Sequence, residues 1–111
     1  ETVLFSMKII KYIKNVEILD YGLNLKEGAM EIGSHSCFLD SSVVAGYALA
    51  VCTRGGVKRI NLVGFDGYQE GDIRIQEMQN IFSNYKNLAE SVDIVSFTPT
   101  RFDLKSELLD E

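Results

Sequence analysis

The sequence predicts one α/β domain in which a small, mainly parallel sheet of four or five strands carries helices on both faces. Strand-like apolar runs alternate along the chain with helix-like ones, which is typical of a parallel sheet joined by helical crossovers. The clearest such unit runs from Arg59 to Tyr85 and contains a strand, a glycine-rich turn and an amphipathic helix. The chain has 111 residues, of which 46% are hydrophobic, and this is enough for a single core.

The first part of the chain contains short apolar runs. Residues 3–6 and 16–21 read as strands, and residues 22–28 as a turn-rich connection. Residues 7–14 are ambiguous between helix and strand, and helix is favoured because Lys8, Lys11 and Lys14 recur at helical spacing. Residues 29–32 form either a brief strand or a helical turn, and residues 33–37 form a loop.

The spacing of apolar residues predicts a helix over residues 43–54. Asp40, Ser41 and Ser42 precede it, and their short side-chain oxygens suit the unpaired amides of a first helical turn. One face carries Val43, Val44, Tyr47, Ala48, Val51 and Cys52, while the other holds small apolar residues, so we expect burial on most sides. Gly55 and Gly56 end the helix.

The second half of the chain has a clearer pattern of apolar residues than the first. Residues 59–63 are predicted to form a strand, residues 73–88 a helix and residues 92–97 a final core strand. The helix has its apolar residues three and four positions apart: Ile75, Met78, Ile81, Phe82, Tyr85 and Leu88. Residues 101–111 are predicted to be a tail with a helical turn or two. The whole order of elements is that of a truncated, doubly wound, Rossmann-like sheet in three layers.

Composition excludes several classes of protein. The net charge of −5 argues against nucleic-acid and membrane partners, and the longest apolar run is too short to span a bilayer. Cys37 and Cys52 are expected to be buried thiols of a cytoplasmic protein. No metal site is expected, because His35 is the only histidine that could join them. The start at Glu1 suggests a C-terminal piece of a longer protein.

Two loops are candidate ligand sites, because ligands of open α/β sheets gather at strand carboxyl ends and helix amino ends. Residues 33–42 offer Ser34, His35, Ser41 and Ser42 as an anion site. The favoured alternative for His35 is an exposed or structural role, since a lone histidine is weak support for catalysis. No Gly-x-Ser-x-Gly elbow is present, so no catalytic residue is assigned.

The second candidate loop, residues 64–72, offers Asp66 and Tyr68. The Asp66 carboxylate suits a ribose hydroxyl or a cation, and the Tyr68 phenol suits a phosphate or a sugar. An Asx-type turn, in which Asp66 binds its own loop amides, is the favoured alternative. Glu70 and Asp72 make this loop acidic, so an anionic ligand would need compensation from Arg74 or another domain.

Most of the chain resembles a known kind of bacterial domain. Residues 45–50 (AGYALA), 55–68 (GGVKRINLVGFDGY) and 96–100 (SFTPT) are similar to the domain that follows a TIM-barrel aldolase domain in some bacterial polysaccharide-locus proteins. Those proteins resemble hydroxymethylglutaryl-CoA lyases and 4-hydroxy-2-oxovalerate aldolases. The resemblance implies that a preceding barrel, with a divalent metal held by an aspartate and a His-x-His pair, carries the lyase chemistry. This domain would need no cofactor of its own.

A second resemblance is to Campylobacter-type sialyltransferases and related glycosyltransferase-like domains. Residues 64–71 (GFDGYQEG) are similar to the segment in which those enzymes place a tyrosine on the nucleotide phosphate, and Tyr68 matches that tyrosine. Their catalytic histidine lies downstream, and no histidine follows Asp66 here.

Three functions are therefore expected in order of preference. The first is a C-terminal accessory domain, for ligand binding or assembly, in an aldolase or oxo-acid lyase of bacterial carbohydrate metabolism. The second is a glycosyltransferase-like domain that binds a nucleotide sugar. The third is a structural dimerisation module, which would make the protein a homo-oligomer.

Overall fold

The computed structural model describes residues 20–109 and shows a mixed α/β domain. Within that range it has two helices and six strands, and the strands form two three-stranded sheets. The elements are β1 (Gly22–Leu25), β2 (Met30–Ile32), β3 (Ser36–Leu39), α1 (Val44–Arg54), β4 (Arg59–Leu62), α2 (Ile73–Lys86), β5 (Asp93–Ser96) and β6 (Lys105–Ser106). The elements predicted over residues 3–6 and 7–14, and residues 16–19 of the next strand, lie outside the described residues.

The first sheet has β3 at its centre. β1 runs parallel to β3, with Gly22 opposite Ser36, and β2 runs antiparallel to it, with Met30 opposite Leu39. The strand alternative for residues 29–32 is thus confirmed. The turn-rich connection predicted over residues 22–28 is wrong for Gly22–Leu25, which form β1, and only its last part is a turn. Residues 22–25 are extended because they pair with β3. Such pairing between distant segments is not encoded in local strand propensity.

The second sheet is entirely parallel, with β5 between β4 and β6. Strands β4 and β5 lie where the sequence predicts them. The tail, however, forms β6 instead of helical turns. Its pairing with the β5 region continues past the strand, since the Glu107 amide donates to the Ser96 carbonyl at 2.8 Å and the Leu109 amide to the Phe97 carbonyl at 3.1 Å.

The structure therefore confirms the mixed α/β class and the parallel β4–α2–β5 unit. It does not confirm one sheet of four or five strands with helices on both faces, because the described strands divide between two sheets. Side chains from both sheets and both helices nevertheless share one core. That core comprises Met30, Cys37, Leu39, Leu49, Ala50, Met78, Ile81, Phe82, Tyr85, Ile94 and Phe102.

Helix α1 begins one residue later than predicted and ends where predicted, but it is not buried on most sides. Gly46, Leu49 and Ala50 are its buried residues, whereas Val44 is 80% exposed and Val51 is also exposed. The small residues allow close approach, since a Cβ built on Gly46 would lie 3.4 Å from the Leu39 side chain and 3.6 Å from that of Ile81. Close packing thus selects the small-residue face rather than the one with larger apolar side chains.

Helix α2 buries the predicted face. Met78, Ile81, Phe82 and Tyr85 are all in the core, and the Phe82 ring contacts those of Phe65 and Phe102 at centroid distances of 6.5 and 5.5 Å. Neither of the two helices among residues 20–109 has the length and apolar character needed to cross a membrane.

The Tyr85 hydroxyl joins three parts of the domain. It lies 2.7 Å from the Thr53 hydroxyl of α1 and accepts a hydrogen bond from the Val92 amide, just before β5, at 3.0 Å. Either hydroxyl of the Tyr85–Thr53 pair can donate to the other, since each has one hydrogen and two lone pairs. This fully buried tyrosine therefore ties both helices to the parallel sheet.

Candidate functional site

The stretch of residues 33–42 is not the single loop that the sequence predicts. Strand β3 occupies its middle and separates Ser34 and His35 from Ser41 and Ser42. The Ser34 carbonyl accepts a hydrogen bond from Arg54 Nε at 3.1 Å and so lies near the end of α1, whereas Ser41 and Ser42 precede its first turn. An 11-residue helix is about 16 Å long, so the structure does not bring the four residues together.

Each end of β3 has its own environment. His35 is exposed, and its carbonyl accepts a hydrogen bond from the Gly22 amide at 3.0 Å. Ser41 is half-buried, and Ser42 lines an open cleft of about 610 Å³ with Tyr21 and Tyr47. These placements put the serines, but not the histidine, at the amino end of α1.

The predicted cap of α1 by a short polar side chain is wrong. The N-cap residue is Val43, and no side chain caps it. The Asp40 carboxylate instead accepts a hydrogen bond from the Gly28 amide at 3.2 Å, which ties the turn after β1 to the end of β3. Helix α2, in contrast, has an N-cap, because Asp72 Oδ1 accepts from the Arg74 amide at 2.9 Å.

Asp66 lies just beyond β4 with its side chain exposed. Among the described residues, no hydrogen bond joins its carboxylate to a loop amide, so the Asx-type turn is not formed. Its main-chain carbonyl, however, accepts a hydrogen bond from the Arg101 amide at 2.9 Å. The backbone at Asp66 is thus held while the carboxylate stays open to solvent.

Tyr68 belongs to a small charged cluster at the start of α2. The Arg74 guanidinium lies over the Tyr68 ring, 4.2 Å from its centroid, and pairs with the Asp72 carboxylate at 2.7 Å. Hydrogen bonding from Arg74 lowers the pKa of Asp72 from 3.8 to about 2. Arg74 therefore offsets the charge of Asp72, and exposed Asp66 and Glu70 carry the remaining negative charge of the loop.

A cleft of about 460 Å³, here called the α1–β4 cleft, lies between the first turns of α1 and the loop after β4. Tyr68 lines it, but Asp66 does not. Its lining is mostly apolar and comprises Val43, Val44, Ala45, Ala48, Gly64, Phe65, Gly67, Tyr68, Met78 and Phe102. Sequence reasoning missed Phe102, because that residue lies in the predicted tail and no local signal places it beside the loop.

Residues 98–102, here called the strap, hold the loop that forms one wall of this cleft. The Gly64 amide donates to the Thr98 hydroxyl at 2.9 Å, and Ser96 Oγ, fully buried, donates to the Thr98 carbonyl at 2.6 Å. Arg101 Nη1 donates to the Tyr68 carbonyl at 3.0 Å, in addition to the bond from its amide to Asp66. The wall is therefore fixed from the far side by hydrogen bonds to main-chain atoms.

The two cysteines differ in burial. Cys37 is fully buried, which raises the pKa of its thiol, whereas Cys52 is only half-buried. Neither cysteine takes part in a disulfide.

Across residues 20–109, no three side chains of the types that bind metals are grouped closely enough to hold an ion. The α1–β4 cleft thus combines apolar walls, one phenol and a loop held in place by hydrogen bonds to its main chain.

Comparison of the chain with models of protein families, with curated proteins and with solved structures found no match in any of the three.

Proposed function

We propose that this chain is a ligand-binding accessory domain whose site is the α1–β4 cleft. The observation that carries the proposal is the position of this cleft, at the carboxyl end of a parallel strand and the amino end of a helix. Open α/β sheets bind ligands at such places. The apolar walls suit the ring of a sugar or nucleotide base, and the Tyr68 phenol offers a hydrogen bond.

The resemblance of residues 45–50, 55–68 and 96–100 to domains of aldolase-like proteins extends the proposal to the parent protein. In this proposal, an N-terminal aldolase barrel with a divalent metal performs the lyase reaction, and the described domain binds a ligand or assembles with that barrel. The location proposed is the cytoplasm, for which the two free thiols are supporting observations.

NMR titration of the isotope-labelled chain tests the ligand site. The probes are CMP, UDP, GDP, their sugar conjugates and sugar phosphates, each at millimolar concentration. Shifts confined to the cleft and its immediate neighbours are expected with at least one probe, with the largest at lining residues such as Val44, Ala48 and Tyr68. Tyr68→Ala should abolish them, whereas Leu25→Ala, which changes an exposed side chain of the other sheet, should not. Shifts elsewhere, or none with any probe, would contradict the proposal.

A glycosyltransferase-like domain is the second candidate, favoured by the match of Tyr68 and by its place in the cleft wall. It predicts that nucleotide sugars bind more tightly than sugar phosphates, and that Tyr68→Phe weakens nucleotide binding through loss of the phenol. Equal binding by Tyr68→Phe would argue against a phosphate contact at this residue.

A dimerisation module is the third candidate, favoured by apolar side chains that are exposed on several elements: Leu25, Val44, Val63 and Ile73. It predicts a homodimer in light scattering at micromolar concentration. A monomer across the accessible concentration range would exclude this function.

A further inference from the structure

We infer that Arg101 is a positioning residue for the α1–β4 cleft, one that holds Tyr68 and the wall around it in place. This role deepens the proposed function and rests on it. The effect of Arg101 on the loop, however, can be measured without any ligand. Its basis is a set of three contacts that join Arg101 to the loop after β4.

Two of these contacts are hydrogen bonds to the main chain of the loop. The Arg101 amide donates to the Asp66 carbonyl, and its Nη1 donates to the Tyr68 carbonyl two residues further on. The two bonds bracket Gly67 and fix the direction in which the Tyr68 side chain leaves the backbone. Because only the second bond depends on the guanidinium, substitution at Arg101 separates the contribution of the side chain from that of the main chain.

The third contact is between Gly67 and the aliphatic part of Arg101. Gly67 has a φ of +114°, and a Cβ built on it would lie 3.2 Å from Arg101 Cβ and 3.4 Å from Cγ and Cδ. A methyl group on Gly67 would therefore press against the Arg101 side chain, which would have to shift slightly. Gly71, later in the same loop, also has a positive φ, of +86°, but a Cβ there would have no neighbour within 4 Å.

Arg101 acts on the loop rather than on the core. Its side chain is exposed, whereas the next residue, Phe102, is buried and anchors the strap in the core. Loss of the Arg101 side chain should thus release the loop while the core and the free energy of unfolding stay nearly unchanged. A merely structural residue would lower the free energy of unfolding instead.

Hydrogen exchange measures this release directly. The amides of Gly64 and Arg101 donate across the gap between loop and strap, so their exchange rates report its opening. In Arg101→Met, which keeps most of the aliphatic stem, both amides should exchange about fivefold faster, as expected for the loss of one hydrogen bond. In Arg101→Ala the increase should be larger, and amides of β5 should be unaffected in both variants.

A pair of glycine variants tests the same contact from the other side. Gly67→Ala and Gly71→Ala both place a side chain at positive φ, but only Gly67→Ala drives it against Arg101. Faster exchange at the Arg101 amide is therefore expected in Gly67→Ala and not in Gly71→Ala. Equal effects of the two variants would show that backbone strain, not the contact with Arg101, controls the loop.

Titration with CMP, repeated on the Arg101 variants, links the positioning to binding. Weaker binding by Arg101→Met, at an unchanged urea midpoint, is the expected result. Unchanged exchange at Gly64 and Arg101, or a uniform increase throughout the domain, would overturn the inference whatever CMP does. A third result is faster local exchange without binding of CMP by the original chain or any variant. It would support Arg101 as the residue that holds the loop, but it would count against a nucleotide as the ligand.

Discussion

Replacement of Tyr85 by phenylalanine should destabilise the domain strongly, although it removes a single oxygen atom. The ring stays in the core, but the hydroxyl loses its bonds to Thr53 and to the Val92 amide. Two hydrogen bonds contribute about 1–3 kcal/mol together, and an amide left without a partner in a partly buried position adds to the loss. We therefore expect the free energy of unfolding to fall by about 2–3 kcal/mol.

Urea denaturation followed by far-UV circular dichroism measures this loss. A domain of this size has a total stability of about 5–15 kcal/mol, so the midpoint should move clearly while the slope stays constant. Thr53→Val removes one partner of the Tyr85 hydroxyl and supplies a double-mutant cycle. On the Thr53→Val background, Tyr85→Phe should cost about 0.5–1.5 kcal/mol less, because only the bond to Val92 remains to be lost.

Two results would refute this reasoning. One is a change in stability below about 0.5 kcal/mol for Tyr85→Phe, which is the range of ordinary surface substitutions. The other is strict additivity of Tyr85→Phe and Thr53→Val, which would show that the two hydroxyls do not interact.

Three further predictions concern the core and the start of α2. Phe82→Ala should cost about 3–5 kcal/mol in urea denaturation because its ring is fully buried between two others, whereas Ile73→Ala, at a 74% exposed site, should stay within about 0.5 kcal/mol. Gly46→Leu should cost about 1–3 kcal/mol by overpacking against the side chains that already lie within contact distance. The contribution of Asp72 to stability should be present above pH 3.8 and be lost as the pH falls through about 2, since its pKa is lowered in the folded state. NMR titration of its carboxyl should show this low pKa, and Arg74→Gln should return it towards 3.8; an unchanged titration would contradict the pairing.

The elements of the second half were predictable because their signals are local. The strand at Arg59 and the helix with its apolar face at Met78, Ile81 and Tyr85 carry their periodicity in a few consecutive turns. The first sheet was not predictable in the same way. Gly22–Leu25 contains Gly22 and Asn24, which are poor strand formers, and Ser36–Leu39 begins with two small residues. The two segments are strands because they pair with one another across the chain.

The residues of the candidate site were likewise predictable only in part. The sequence predicts Tyr68 in a loop at a strand end, and the structure puts it in the wall of a cleft there. The sequence also predicts one site for Ser34, His35, Ser41 and Ser42, but β3 holds the first two apart from the last two. Proximity along the chain is a poor guide to proximity in space wherever an extended strand intervenes, since each residue adds about 3.3 Å.

The sequence by itself determined that this protein is an α/β domain, that its second half is a strand–loop–helix–strand unit, and which face of α2 is buried. Those properties follow from hydrophobic periodicity, which acts over a few residues. Tertiary structure alone decided that the strands divide into two sheets, that α1 buries its glycine and alanine face, and that Arg101 reaches Tyr68. Each of these depends on close packing or on hydrogen bonds between distant segments, for which the chain carries no local signal.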